Sequence, residues 1–363
     1  MGLGCIFREN PPRPNWRRSG RSGCAVLLTS LFVTSTALST PQVAGPSTQQ
    51  TQPLTPNPTL DRAQALLQAN RWQAAHDLLV PWLNTHPHAP DRDRAIYLLA
   101  EVYYENGDRI RAFYHLDELL DNHPESKLFF PALEFQYDIA DAYLNGYKDT
   151  FLGMSILGRT DEAIEMLFRI QERSPGSPIA EKALKRTADY YFNDSEFDLA
   201  ADAYESYIRA YPRSADIPQA KLRQAFSNLA QFRGPRFDAT PLINARSQFK
   251  AIEVQYPELA AESNVPQWID HIDADMAKKA YLVAEFYRNT GRPGGAVFMY
   301  RYVIQTYPNS TEAKMSQREL SRMPAWALRQ APPPPSNPEA AAQPLPAAPP
   351  ETLPPPGSNQ KKP

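Results

Sequence analysis

The sequence predicts an all-α protein built from about six stacked helix pairs. An alanine is followed by a proline twelve residues later at six places: Ala75/Pro87, Ala112/Pro124, Ala163/Pro175, Ala200/Pro212, Ala245/Pro257 and Ala296/Pro308. A large apolar residue stands four places after each alanine and another three places further on, so the three share one face of a helix. Proline cannot continue a helix and disfavours helical angles in the residue before it, so each copy ends at a fixed place.

A second helix precedes each of these alanines, and we call the two helices of a pair A and B. Helix A carries an alanine and, three places later, a large residue: Ala63/Leu66, Ala100/Tyr103, Ala140/Tyr143, Ala188/Tyr191 and Ala284/Tyr287, with Ala225/Asn228 as a degenerate sixth copy. Alanines on both helices allow antiparallel helices to approach near the lower end of the roughly 8–10 Å packing range. Helix-stopping residues such as Asn70, Gly107 and Gly291 separate A from B.

This order of small residue, aromatic residue, turn, small residue, aromatic residue and proline resembles the tetratricopeptide repeat. The resemblance covers residues 59–322 and implies an α-solenoid, closed by a capping helix from Thr311 to Arg322. The positions that define the repeat most clearly are Ala100, Ala112, Pro124, Ala188, Tyr191, Ala200, Tyr204, Pro212, Ala284, Tyr287, Ala296 and Pro308.

The segments on either side of the repeats have a different composition. Residues 1–39 read as an export signal, with arginines from Arg13 to Arg21, an apolar stretch from Cys24 to Ser39, and small residues before Thr40. An uncleaved anchor is the alternative. Residues 40–58 are a linker rich in Pro, Gln and Thr, and residues 323–363 are a proline-rich tail; both are predicted to be disordered.

Both cysteines, Cys5 and Cys24, fall inside the predicted signal. The exported chain would therefore hold no disulfide, thiol nucleophile or cysteine-bound metal. A bacterial lipoprotein needs a cysteine just after the apolar stretch, whereas Cys24 stands at its beginning, so a lipid anchor is not predicted. We expect membrane association to be peripheral or to run through partner proteins.

The charge and the histidines point away from nucleic acid and from catalysis. Beyond the signal the chain has 33 basic and 39 acidic residues, whereas a nucleic-acid groove needs clustered Lys and Arg. His86 and His88 flank a proline and lack a third metal ligand. The acidic stretch around Asp270, His271 and Asp273 is interpreted as a solvated helix face rather than a weak cation site. We predict no enzyme activity, cofactor or metal.

Insertions between repeats are the expected places of function, because they map to loops on one face of such arrays. From Ala140 to Ala163 the spacing is 23 residues instead of twelve, and the extra residues are unusually apolar. This insertion is either a loop folded back onto its own repeat or a binding lip. The residues predicted to bind a partner are Tyr103, Tyr104, Tyr143, Tyr147, Phe151 and Met154.

Two further lengthenings occur later in the chain. One lies around Arg233–Asp238. The other separates Pro257 from Ala284 by 27 residues and predicts that helix A of the last repeat begins early and projects beyond the stack.

Several stretches resemble the BamD family, the tetratricopeptide lipoproteins of bacterial outer-membrane β-barrel assembly. They are Asn122–Ser126, Ala210–Ser214, Thr306–Ser310, the helix Asp238–Pro257 and, most specifically, the block Ala277–Tyr287 with Ala296 to Pro308. The resemblance implies a non-enzymatic scaffold, exported to the periplasm and associated with the outer membrane. Its partners would be barrel-assembly components or β-barrel substrates, bound through the repeat groove. A periplasmic coordinator of cell-envelope or division machinery is the alternative.

Overall fold

The computed structural model describes residues 57–148, 150–151, 154–155 and 159–331, without the side chains of the four strand residues and Gln330. The predicted export signal, nearly all of the linker and the proline-rich tail from residue 332 lie outside the described residues. The predicted disorder of these segments therefore stays a prediction.

Six A/B helix pairs follow one another within the described part of the chain, which confirms the predicted repeat fold. In chain order the helices are α1 (Pro58–Gln68), α2 (Trp72–Thr85), α3 (Arg92–Glu105), α4 (Arg109–Asn122), α5 (Phe129–Leu144), α6 (Thr160–Arg173), α7 (Pro178–Asn193), α8 (Phe197–Ala210), α9 (Ile217–Ala230), α10 (Thr240–Gln255), α11 (Pro257–Glu262), α12 (Val265–Asn289), α13 (Pro293–Thr306), α14 (Thr311–Ser321) and α15 (Ala325–Gln330). The short helix α11 lies between the fifth and sixth pairs, and α14 is the predicted capping helix. A two-residue antiparallel ribbon, β1 (Thr150–Phe151) and β2 (Met154–Ser155), lies in the insertion of the third repeat.

Every helix B ends in the same way. The residue before each repeat proline has φ between −126° and −140° and ψ between 55° and 65°, away from the helical region. Its backbone N–H still donates to the carbonyl four residues earlier, on Trp82, Leu119, Ile170, Tyr207, Ile252 or Val303. These are the last residues of the predicted apolar face, and all six are buried. The proline therefore stops the helix directly after its last core contact.

Each turn from A to B contains a residue with positive φ. In the longer turn of the fifth pair it is Gly234, at 123°, and in the other five turns the residues are Asn70, Gly107, Gly146, Ser195 and Gly291, with φ from 56° to 89°. In these five turns the following backbone N–H bonds back to the last turn of helix A, as in Asp108 N–H to the Tyr103 carbonyl at 2.9 Å. This bond satisfies a carbonyl that the helix end leaves free and reverses the chain in three residues.

The alanines lie where the helices cross. All twelve repeat alanines, six on helix A and six on helix B, have no exposed surface. Aromatic side chains fill the space beside them, and Tyr204, Tyr300 and Phe249 are among the largest fully buried residues. The core is thus a row of small clusters, each shared by successive helices.

The long helix α12 begins early, as predicted, but the prediction that it projects beyond the stack is wrong. Val265 and Ile272 have no exposed surface and belong to one cluster with Leu242 and Ile252 of α10. The first half of α12 therefore covers the core of the fifth repeat, while its second half forms helix A of the sixth. One helix serves two repeats because its apolar residues recur along both halves.

Helical structure also extends beyond residue 322, where the tail was predicted to begin. Helix α15 packs Ala327 against Val297 of α13. The Arg301 guanidinium donates to the carbonyls of Leu328 and Ala331, at 2.8 and 3.2 Å. These bonds cap the carbonyl end of α15. Among the described residues, no helix is both long and apolar enough to cross a membrane.

We predict that Ala188→Leu or Ala200→Leu lowers the free energy of unfolding by about 1–3 kcal/mol, because a larger side chain overpacks the helix crossing. Thermal or urea unfolding measures the change. Ala210→Leu is the matched control, since Ala210 is exposed at the end of α8. Equal stability of all three variants and the wild type would show that the crossing is not tightly packed.

We also predict that Gly107→Ala costs about 1 kcal/mol of stability, because its φ of 86° strains any residue with a Cβ. Gly294→Ala is the matched control: a Cβ at Gly294 meets no atom within 4 Å, and its backbone is helical. Gly294→Ala should be neutral or mildly stabilising in the same urea titration. A loss of the same size in both variants would contradict the backbone explanation.

Candidate functional site

An open groove of about 470 Å³ lies between helices A of the first three repeats. It is formed by α1, α3 and α5 and lined by Leu67, Gln68, Asn70, Tyr97, Glu101, Tyr104, Glu105, Pro131, Glu134, Phe135 and Asp138. Tyr97, Glu101 and Tyr104 recur at positions i, i+4 and i+7 of α3, so they share one face of that helix. Phe135 and Asp138, at positions i and i+3 of α5, likewise share one face of that helix.

Aromatic rings form the floor of this groove. Phe135 contacts Tyr104 edge to face, with ring centroids 5.1 Å apart, and Tyr97 at 5.9 Å. All three side chains are half-buried, so each keeps part of its surface open to the groove. Such clusters offer a large apolar area and tyrosine hydroxyls at low cost in side-chain entropy.

A second aromatic contact supports the groove from α4. The Arg109 guanidinium carbon lies 3.5 Å from the ring centroid of Tyr147 and 4.7 Å from that of Tyr104. The Tyr147 hydroxyl donates to the Gly107 carbonyl at 3.1 Å. The start of the third-repeat insertion thus folds back onto the second repeat. This agrees with the folded-back interpretation for Tyr147.

The structure separates the six residues predicted to bind a partner. Tyr104 lines the groove and Tyr147 lies behind it. Tyr143 is 1% exposed and packs edge to face on Tyr147 within the core, so it offers no surface to a partner. Tyr103 stacks on His115 at 5.1 Å, between the helices of its own pair.

The last two predicted residues, Phe151 and Met154, pair through their backbones in the ribbon. Their side chains are outside the described part of the structure, so their role as a binding lip stays a prediction.

Sequence reasoning missed Tyr97, Glu101, Phe135 and Asp138. The prediction followed the aromatic residue three places after the helix-A alanine, and that position faces helix B. The groove-facing residues lie on another stripe of the same helices. The spacing of Tyr97, Glu101 and Tyr104 does indicate that they share one helix face. To identify that face as a binding surface, one must also know which face of the helix remains uncovered.

The groove is acidic. Among the described residues that line it, four are carboxylates and none is Lys or Arg. Burial raises the pKa of Glu101, and Glu105 adds to the rise by repulsion. The pKa of Asp138 is also raised by burial, with Lys182 opposing and Asp141 and Glu134 adding to the rise. A cation brought into the groove would relieve this repulsion.

The other residues considered as possible metal ligands make structural contacts. The carboxylate of Asp273 pairs with Arg246 of α10, and His271 tilts against Trp268. His86 stacks on Trp82 with ring centroids 4.8 Å apart. Within the described ranges, no three His, Cys, Asp or Glu side chains are grouped closely enough to hold a metal ion.

The class of protein follows from the fold and from comparison with known families. Residues 94–126 match the tetratricopeptide repeat model, and residues 156–325 match the model of a family described as an outer membrane lipoprotein. The chain is an α-solenoid of tetratricopeptide repeats.

Over 146 residues it is 21% identical to the outer membrane protein assembly factor BamD of Rickettsia prowazekii (strain Madrid E). This similarity spans 40% of the present chain and 58% of that protein, so the chain spans little more than half the length of this relative. The sequence-based resemblance is confirmed: this is a BamD-like tetratricopeptide repeat protein.

Some solved structures are also similar to it. One is the C-terminal part of a tetratricopeptide repeat-containing protein from Cytophaga hutchinsonii, with 12% identity, a TM-score of 0.34, and coverage of 71% of this chain and 86% of that one. Another is pilF of Pseudomonas aeruginosa, with 13% identity, a TM-score of 0.28, and coverage of 72% and 96%.

We predict that Glu101→Gln stabilises the protein at neutral pH, by less than about 1 kcal/mol, because it removes a partly buried charge among like charges. The folded chain holds the Glu101 proton to higher pH than the unfolded chain, so ionisation lowers stability as the pH rises through the raised pKa. The gain should vanish below the ordinary glutamate pKa of 4.5.

Urea unfolding at several pH values measures this difference. Glu172→Gln, at an exposed position of α6, is the charge-matched control and should change stability little at any pH. A Glu101→Gln protein less stable than the wild type at neutral pH would contradict the prediction.

Proposed function

We propose that this protein is a non-enzymatic scaffold of the bacterial cell envelope, which holds an extended or helical segment of a partner protein in the groove of repeats 1 to 3. The observation that carries the proposal is the open groove itself, with half-buried aromatic rings presented by α3 and α5. Extended and helical segments of proteins bind in grooves of this kind through side-chain anchors.

The BamD-like similarity supports a place at the periplasmic side of the outer membrane. The matched family is described as an outer membrane lipoprotein and the relative as an outer membrane protein assembly factor. The predicted export signal agrees with that location. We therefore propose barrel-assembly components or β-barrel substrates as partners, and a coordinator of envelope or division machinery as the alternative.

The groove and the matched region are different parts of the chain. The groove lies between Leu67 and Asp138, whereas the family model matches residues 156–325. Large side chains are exposed in the matched region, among them Phe286 at 60% and Phe237 at 57%. We propose that the C-terminal repeats dock on the assembly partner and that the N-terminal groove holds a second segment.

Site-specific photocrosslinking of the full chain in envelope extracts tests this proposal. A photoreactive residue in place of Gln68 or Glu105, both exposed in the groove, should capture envelope proteins. The same residue in place of Asp202, exposed on helix B of the fourth repeat, is the control. Capture at the control position but not in the groove would contradict the proposal. Division or cell-wall proteins as the captured species would favour the alternative.

A further inference from the structure

A matching ion pair joins neighbouring A helices at two steps of the array, and at the groove carboxylates occupy both of its positions. Asp141 Oδ1 of α5 accepts from Arg186 Nε of α7 at 2.5 Å. One repeat later, Asp189 Oδ1 of α7 accepts from an Arg223 guanidinium nitrogen of α9 at 2.5 Å. In both pairs the aspartate directly follows the alanine of its own helix A. The arginine stands two places before the alanine of the next helix A.

The corresponding positions between α3 and α5 are Glu101 and Asp138. Both line the groove, so two carboxylates face the space that an aspartate and an arginine share elsewhere. They also both act on the hydroxyl of Tyr97, whose pKa burial raises first and the charges of Glu101, Glu134 and Asp138 raise further. At this step a carboxylate therefore stands where the two ion-paired steps have an arginine.

Neighbouring cations of the described chain are engaged elsewhere. Arg109 lies over the rings of Tyr104 and Tyr147. Lys182 of α7 attracts the Asp138 carboxylate, but its ammonium lies 3.9 Å from the ring centroid of Tyr137. Arg186 is bound to Asp141. None of these three side chains lines the groove.

We propose that the groove selects a basic partner segment, an extended stretch whose Lys or Arg side chain inserts between Glu101 and Asp138. The inference rests on the proposed function, in which this groove holds a segment of a partner protein. The inserted cation would take the place of the arginine present in the next two repeats. Tyr97, Tyr104 and Phe135 would contact its aliphatic stem and attract its charge through their rings. Charge complementarity thus identifies the occupant: the half-buried Glu101 and the exposed Asp138 would both attract the inserted cation.

Two synthetic peptides of equal length test the inference on the full chain. One carries lysine at alternate positions and the other carries glutamine there. By fluorescence anisotropy the lysine peptide should bind at least about tenfold more tightly at low ionic strength, and this preference should shrink as salt is added. Affinity for the lysine peptide should also fall as the pH drops through the raised pKa of Glu101, because a protonated carboxyl no longer attracts the cation.

The double variant Glu101→Gln, Asp138→Asn should lose the preference for lysine while still binding the glutamine peptide. The control, Glu172→Gln with Asp202→Asn, changes net charge equally at exposed helix-B positions and should keep the preference. Equal affinity of the wild type for both peptides, or equal losses in both double variants, would overturn the inference but leave the groove as a peptide site.

Two further outcomes also overturn the inference. Absence of peptide binding, together with groove crosslinkers that capture nothing, would overturn the proposed function as well. Tighter binding of the lysine peptide by Lys361→Gln, Lys362→Gln would show that the chain's own C-terminal lysines occupy the groove, in place of a partner segment.

Discussion

Twelve alanines at the helix crossings have no exposed surface, and the other features of the fold depend on the close approach that they allow. With the helix axes close together, each pair leaves just enough space for the large residue three or four places along the helix. The proline then ends helix B directly after its last core contact, so the chain turns into the next pair at the same point in each repeat. Close approach and fixed length together keep the repeats in register.

The register explains why a single position can be compared between repeats. From α5 to α7 and from α7 to α9, the residue after the helix-A alanine meets the residue two places before the alanine of the next helix A. Asp141 with Arg186 and Asp189 with Arg223 use this meeting point to tie neighbouring repeats together. From α3 to α5 the same two positions hold Glu101 and Asp138, and both line the groove. A change at one structural position therefore alters the chemistry of the surface while the frame stays constant.

The frame could be predicted from the sequence because its signals are local. Alanine, aromatic and proline spacing predicted the six pairs, and the turn residues Asn70, Gly107 and Gly291 do have left-handed backbones. The site was harder to predict because it depends on which helix face stays uncovered. Tyr103 and Tyr104 are adjacent in sequence, yet one packs against helix B and the other opens to the groove. The course of α12 was missed for a similar reason, since only the packed structure shows that Val265 and Ile272 cover the fifth repeat.

The insertion of the third repeat connects the repeat frame with the groove. Tyr147 leaves the end of α5, returns to the Gly107 turn, and encloses Arg109 against Tyr104. Gly107 adopts a φ of 86° at that turn, and its carbonyl is the acceptor for the Tyr147 hydroxyl. The turn at Gly107, which belongs to the second repeat, is therefore also the place where the insertion of the third repeat attaches. Arg109 is thereby held on the α4 side of Tyr104, and its charge is not available to neutralise Glu101 and Asp138. The same contacts that hold the groove wall in place leave the groove acidic.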